Sequence, residues 1–285
     1  MHIIFDIGGT KMRIAGVHND GIFSEPFVFP TPVDDFNVGM EILADAAHKL
    51  SGGEPIQSAA GGVAGPFDPG KTMLVNAPNI PGWIRMPLKK ELEHRLGASV
   101  LLENDVAMSA LGEALVGAGK GFSIIAYVSV GTGVGGARIV DGKIDRNRYG
   151  FEIGHQIIDA SGGLCPSCGG GGELESYLGG RALYRRTGKS ATEVTDPHVW
   201  DDEAKHLAIG LANTIVHWSP DVVVLGGSMV VGEHGIPIDK TTEYLRGRLT
   251  IFPELPVIKM ATLGDLGGLH GALHLLPIGD VFFGA

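Results

Sequence analysis

The chain is poor in cysteine. Two in 285 residues cannot make the disulfide framework that holds small secreted domains together. No apolar run approaches the ~20 residues that a bilayer-spanning helix needs. The N-terminus, Met1-His2-Ile3-Ile4, has no basic segment leading into an apolar stretch, so no signal peptide is expected. A soluble cytoplasmic protein with no membrane partner is therefore predicted. Basic clusters are missing as well: 22 Lys and Arg stand against 32 Asp and Glu, a formal charge of −10. A nucleic-acid binder would carry a basic face, so no nucleic-acid partner is expected. Charged residues make up only 19% beside 44% hydrophobic ones, a composition that argues against disorder. The length suffices for a sizeable core in one large domain or two modest ones.

Glycine is what the chain has in excess: 45 of 285 residues, roughly 16% against a typical ~7%. No Gly-X-Y period runs through them, which excludes collagen. They cluster just after β-like runs, where backbone lacking a Cβ can approach a ligand closely.

Residues 2–7 read as a strand, followed by Gly8-Gly9-Thr10-Lys11. Residues 12–18 and 22–29 read as two more, joined by Asn19-Asp20-Gly21, a hairpin signal. Residues 34–50 carry Phe36, Met40, Leu43, Ala47 and Leu50 three and four apart, the spacing of a helix. Ser58–Ala64 reads as a strand, 87–96 as a helix opening with proline, Val100–Glu103 as a strand and Asp105 to about Val116 as a helix. The pattern then begins again. Ser123–Val130 is a strand before Gly131-Thr132-Gly133, and 135–140 with 143–146 suggests a hairpin around Asp141-Gly142. Helices follow near 173–186 and 201–218, then a strand at Asp221–Leu225 ending in Gly226-Gly227-Ser228. A helix near 239–249, a strand at 256–261 and a helix at 267–276 close the chain. Two α/β halves with a cleft between them is the architecture this order predicts.

Three glycine motifs carry candidate chemistry. Gly65-Pro66-Phe67-Asp68-Pro69-Gly70-Lys71-Thr72 formally matches a P-loop. Such a loop cradles phosphate with successive N–H groups and opens a helix. Here two variable positions are proline, Asp68 would repel phosphate and Met73-Leu74-Val75 is β-like, so a turn between strands is the better reading. Gly131-Thr132-Gly133-Val134-Gly135-Gly136 formally matches a dinucleotide fingerprint, but Ala137–Val140 with Asp141-Gly142 looks like a hairpin rather than the required helix. A phosphate-approaching hairpin loop remains, since glycines and the Thr132 hydroxyl suit that task. In Asp6-Ile7-Gly8-Gly9-Thr10-Lys11 an acid ends a buried strand, and glycines, a hydroxyl and an ammonium come after it. Asp6 suits Mg²⁺ through water, the Gly8 and Gly9 amides can face a ligand, and Thr10 and Lys11 suit phosphate oxygens. Alone, this stretch reads equally well as an ordinary hairpin; with the second loop at 131–133, the phosphate reading prevails.

Taken together, these residues resemble the ROK family of sugar kinases, within the actin/hexokinase/Hsp70 superfamily. Asp6–Lys11 looks like its first phosphate motif, Asn76-Ala77-Pro78-Asn79-Ile80-Pro81-Gly82-Trp83 like a sugar-contacting loop, and Glu103-Asn104-Asp105-Val106-Ala107 like its catalytic segment. Ser129–Gly133 looks like the second phosphate motif. Glu152-Ile153-Gly154-His155 with Glu173-Leu174-Glu175 looks like the family signature, and Leu225-Gly226-Gly227-Ser228 like the adenosine motif. Six motifs in order span essentially the whole chain. The resemblance implies a two-domain actin-like ATPase (ribonuclease H-like) α/β fold with an interdomain cleft. Residues 1–112 plus about 267–285 would form the smaller domain and about 113–266 the larger. It implies ATP and Mg²⁺ as cofactors, a hexose as substrate and a homodimer as the assembly. Asp105 would be the general base, with Gly65, Asn79, Asn104, Glu152, His155 and Glu175 on the sugar. Gly8, Gly9, Thr10, Lys11, Gly131, Thr132, Gly133, Gly226, Gly227 and Ser228 would hold the nucleotide.

The chemistry is sensible on its own terms. Phosphoryl transfer to an alcohol needs an acceptor-side carboxylate and charge neutralisation by metal and N–H donors. Asp105 stands at the start of a helix, where an anion is favoured, although a helix cap is also a sufficient reason for it. Asn, Glu and His suit a ligand whose hydroxyls both donate and accept.

The sequence departs from the family in one stretch. Many ROK proteins hold a structural zinc through this histidine and three cysteines patterned C-x-C-G-x-x-G-C. Here Cys165-Pro166-Ser167-Cys168 opens the first pair by one residue, and Glu173 stands where the third cysteine would be. His155, Cys165, Cys168 and Glu173 could make a tetrahedral zinc site, and a chain without metal here is an equal reading. A redox role for C-x-x-C stands behind both. The resemblance favours glucose through the form of Asn79-Ile80-Pro81-Gly82-Trp83, with mannose, fructose and N-acetylated hexosamines as close alternatives. The rivals from other classes are a sugar-responsive repressor and a non-catalytic sugar-binding protein. The repressor needs a DNA-binding module that an acidic chain whose first strand begins at residue 2 does not offer.

Overall fold

The computed structural model describes residues 1–18, 21–161, 171–232 and 235–277. The chain divides into two units. One holds Met1–Gly112, Arg146–Gly150 and the segment from Asp265 onward; the other holds Glu113–Asp145 and Phe151–Gly264. No helix among the described residues is long and apolar enough to cross a membrane.

The first unit opens with an antiparallel meander, β1 (His2–Ile7), β2 (Lys11–Val17) and β3 (Phe27–Pro30). The expected strand at 22–29 pairs only from Phe27. Pro26 has no N–H to give a ladder, and Phe23 makes a single bridge to Val17. Asn19 and Asp20 of the expected turn lie outside the described residues. Next comes α1 (Phe36–Ser51), capped by Asp35, whose carboxylate accepts from Val38 N at 3.1 Å, and ended by Gly52 at φ 59°. Then follow β4 (Ser58–Val63), α2 (Leu88–Leu96), β5 (Ser99–Asn104) and α3 (Asp105–Leu115). The sheet order is β3-β2-β1-β4-β5, with β1, β4 and β5 parallel. Strand alternation places Ile3, Phe5 and Ile7 in one core with Met40, Leu43, Trp83 and Leu92. Ile4 enters the core on the opposite side with Ala60 and Met108. Asp6 is in phase with Ile4.

The second unit repeats the plan with β6 (Ile124–Val130), β7 (Val134–Val140) and β8 (Lys143–Ile144) as its meander. The expected single helix near 173–186 is two, α4 (Leu174–Tyr177) and α5 (Gly180–Thr187). Gly179, at φ 107°, breaks the helical path between them. The long α6 (Pro197–Trp218) begins four residues before the expected start, with Asp196 as cap and proline in the first turn. β9 (Val222–Gly226), α7 (Ser228–Val231), α8 (Ile238–Arg248) and β10 (Val257–Met260) complete the sheet in the order β10-β9-β6-β7-β8. Finally α9 (Gly267–Leu275) rejoins the first unit, where Leu269, Ala272 and Leu273 cover Ile4 and Ala60.

Candidate active site

In the first unit the β1–β2 register sets Asp6 opposite Arg13, and the β1–β4 register sets it beside Gly62. A Cβ on Gly62 would stand 2.9 Å from the Asp105 Cα, so the first residue of α3 lies next to the strand that flanks Asp6. The Asp6 side chain is only 14% exposed. Its pKa is pushed up to about 7, first by desolvation and then by the charge of Asp105; Arg13, 3.9 Å away, opposes the rise, and Asp265 adds to it. Arg13 is itself bonded to Asp265. Asp6 and Asp105 thus lie within electrostatic reach of each other, and the Arg13 guanidinium offsets part of the negative charge gathered there.

The Gly8–Lys11 turn is tighter than expected. The Gly8 amide does not face a ligand, because it donates to the Lys11 carbonyl at 3.0 Å, and the Thr31 hydroxyl donates to the Gly8 carbonyl at 2.8 Å. Thr10 and Lys11 are exposed. Asn79 is also exposed and packs against Gly9, whose Cβ would fall 2.8 Å from that of Asn79. Trp83, at the end of the expected sugar loop, is instead a core anchor: its indole donates to the Pro32 carbonyl at 3.0 Å and meets Phe36 edge-on.

Asn104 resolves the question of the cap. Its Oδ1 accepts from the Val106 and Ala107 amides at 3.0 Å, and its Nδ2 donates to the Gly65 carbonyl at 3.2 Å. Asn104 therefore caps α3, and Asp105 is its first residue. Beside them Glu103, buried at the end of β5, pairs with Lys71. Sequence reasoning gave Arg13 no place in the site, and it named Glu103 within the catalytic segment and Lys71 within the formal P-loop match without joining them. The hairpin about residues 9 and 10 could have given Arg13, because its register fixes 6 against 13. Lys71 and Glu103 lie 32 residues apart, and no local pattern joins them.

In the second unit the Glu175 carboxylate accepts from the Val134 amide at 2.8 Å and fills the space over Gly133 that any side chain there would need. Gly131 closes its own turn, its amide donating to the Gly133 carbonyl at 2.9 Å. The Gly180 and Arg181 amides at the start of α5 donate to the Gly131 and Thr132 carbonyls at 2.8 and 3.0 Å. Gly226 ends β9, Gly227 comes next at φ 86°, and the Ser228 hydroxyl lies 4.0 Å from where a Gly131 Cβ would stand. The structure thus brings Gly131–Gly133 and Gly226–Ser228 together. Glu152, His155 and Glu175 also lie within electrostatic reach of one another. Desolvation, with Glu175, raises the Glu152 pKa against the pull of His155. Desolvation works against a charged His155, yet its bond to Glu173 at 3.0 Å, with Glu152 and Glu175, raises it overall. Another buried acid of the second unit, Glu203 on α6, pairs with Arg186. The signal for it was a glutamate one turn before Leu207 on the apolar face.

Cys165 and Cys168 lie outside the described residues. The remaining two expected zinc donors, the His155 imidazole and the Glu173 carboxylate, face each other and are of the types zinc takes.

Two five-stranded sheets of like order, each with a glycine turn after its first strand, define an actin-like ATPase fold, the fold shared by the neighbouring solved structures. The ROK family profile matches residues 3–278, and the chain belongs to the ROK family. It is 36% identical to a glucokinase of Streptomyces coelicolor over 182 residues, which cover 63% of this chain and 56% of that protein. It therefore spans little more than half the length of that relative. It is 30% identical to an N-acetyl-D-glucosamine kinase of Vibrio cholerae over 306 residues, covering 96% of this chain and 99% of the relative. A ROK family glucokinase from Streptomyces griseus, solved in complex with glucose and AMPPNP, superposes with a TM-score of 0.80 at 29% identity, covering 98% of this chain and 99% of that one.

Proposed function

We propose that the protein is an ATP-dependent hexose kinase acting on the 6-hydroxyl, with glucose as the preferred acceptor. The observation that carries this reading is the placement of Asp105, held by an Asn104-capped first turn beside the poorly solvated Asp6. Asp105 accepts the proton of the attacking hydroxyl, and its fixed position contributes the orientation that proton transfer requires. Asn79, Asn104, the Gly65 backbone, Glu152, His155 and Glu175 are assigned to the sugar hydroxyls. Asp6 and the Gly8–Lys11 turn belong to Mg²⁺ and phosphate, with Gly131–Gly133 and Gly226–Ser228 assigned to the nucleotide. ATP, when bound, would supply the phosphoryl group, and Mg²⁺ would neutralise the charge on its phosphates. A zinc held by His155, Cys165, Cys168 and Glu173 would brace the segment that carries Glu175. A homodimer belongs to the same reading.

Glucose is supported by the Asn79–Trp83 loop and by the Streptomyces relatives. The second reading, an N-acetylhexosamine kinase, is supported by the Vibrio relative, which aligns over nearly its full length. One assay decides. ADP release with Mg·ATP is measured against glucose, mannose, fructose, N-acetylglucosamine, N-acetylmannosamine and allose, with Asp105→Ala alongside. Turnover on glucose that falls by about 10²–10⁴ in the variant is expected. A preference for an N-acetylated sugar selects the second reading. Folded protein inert towards every sugar would point to a non-catalytic binder.

A further inference from the structure

The formal P-loop match at 65–72 is left without a task by the phosphate chemistry. The structure makes it a hairpin: Asp68 N donates to the Met73 carbonyl at 3.0 Å, Lys71 N to the Asp68 carbonyl at 2.8 Å, and Val75 N to the Pro66 carbonyl at 2.9 Å. The hollow where a P-loop would hold phosphate is filled by the chain's own Asp68 carboxylate. It accepts from the Thr72 and Met73 amides at 2.6 and 2.8 Å, from Gly70 N at 3.3 Å and from the Thr72 hydroxyl at 3.1 Å.

At the tip stands Lys71, one of four described non-glycine residues in the left-handed region, with φ 50°. A lysine gains nothing locally from that conformation, and the neighbouring Gly70 could have taken it without strain. From this position the Lys71 ammonium pairs with Glu103, whose carboxylate is buried. The second Glu103 oxygen accepts from the Asn104 amide at 2.9 Å, and Asn104 in turn bonds Gly65 at the base of the same hairpin. The hairpin is thus tied to the Glu103–Asn104 segment at both ends, by Gly65 at its base and by Lys71 at its tip. Its outgoing arm runs directly into Asn76–Asn79.

We infer that Lys71 is a positioning residue, pinning this hairpin to Glu103 and so setting Gly65, Asn79 and Asn104 where they receive sugar hydroxyls. The inference rests on reading the first-unit cluster as a sugar site. An exposed ion pair would matter little. Here one partner is buried, and losing the lysine leaves that carboxylate with a single amide donor, two residues from Asp105.

Three variants test it by steady-state kinetics with each substrate varied in turn, alongside thermal unfolding. Lys71→Gly relieves the left-handed backbone but leaves the Glu103 carboxylate without its cation, so the protein should stay folded with a melting temperature below that of the wild type. Its KM for the sugar should rise about tenfold, while its KM for ATP stays within about twofold. Lys71→Arg, which keeps the charge, should stay within about threefold of the wild type on both. Glu103→Gln should reproduce the sugar defect. An unchanged sugar KM in Lys71→Gly, an equal rise for both substrates, or an arginine variant as impaired as the glycine one overturns the inference. A wild type without turnover on any sugar overturns the kinase reading instead. The variants are then compared by sugar-induced thermal shift, where equal shifts in wild type and Lys71→Gly overturn the positioning role. No shift in any of them overturns both.

Discussion

Asp6 sits where its own charge is unwelcome. Its ordinary pKa of 3.8 is raised to about 7 because desolvation and Asp105 disfavour the anion more than Arg13 favours it. A carboxyl that binds its proton more tightly when folded makes the protein most stable below the unfolded pKa. That stability declines as pH rises from about 4 to about 7 and stays low above. Asp6→Asn removes the penalty, so at pH 8 the variant should melt about 3–6 °C above the wild type. Near pH 4, where the wild-type residue is also neutral, the difference should vanish. Turnover should be largely lost in the same variant, the usual exchange of stability for a strained functional group. Melting curves of both proteins from pH 4 to 8 check this, and a gap independent of pH would show that charge is not its cause. At this scale the sequence was informative wherever a residue's role comes from its neighbours. Asp6 at a strand end and Asp105 at a helix start were both legible. That Asn104 rather than Asp105 takes the cap depends on a side-chain torsion that no pattern encodes.

Elements were legible where periodicity is strong and misread where a single glycine or proline decides. α1 followed from apolar residues three and four apart. The split of α4 from α5 turns on Gly179, and the early start of α6 on Asp196-Pro197, a side-chain cap followed by a first-turn proline. The glycines inside helices divide by what they face. In α9 a methyl on Gly271 would overlap the Met108 carbonyl oxygen of α3, while in α8 a methyl on Gly247 would meet nothing within 4 Å. Helix propensity favours alanine at both by up to ~1 kcal/mol. Overpacking costs about 1–3 kcal/mol, and a backbone oxygen cannot move aside as a flexible side chain can. Gly271→Ala should therefore destabilise by about 1–2 kcal/mol net and Gly247→Ala should stabilise by about 0.5–1 kcal/mol. Urea midpoints of the two variants should move in opposite directions, and movement in the same direction would show that the α3–α9 contact is not close-packed.

Across the whole molecule, the recurrence of strand, glycine turn and hairpin was readable because each half needs the same local signals, and the two sheets share one strand order. The preferred hexose was not readable, since discrimination by one hydroxyl or one acetyl group rests on distances between residues far apart in sequence. Nor does chain order reveal that the first unit depends on the last helix. Leu269, Ala272, Leu273 and Leu276 bury themselves with Ile4, Ala15, Val17, Ala60 and Met108, whereas the described core of the second unit, from Ala126 to Leu249, draws on no residue beyond Ile258. Three buried leucines at about 1.5–3 kcal/mol each rival the 5–15 kcal/mol that holds a typical domain together. Removing residues 265–285 should thus open the first unit and spare the second. Hydrogen exchange should find the amides of β1 and β4 unprotected in the shortened chain while those of β6 and β9 exchange slowly. Equal loss in both sheets would mean that the two units fold as one cooperative block, and equal retention would mean that α9 is dispensable to the core it covers.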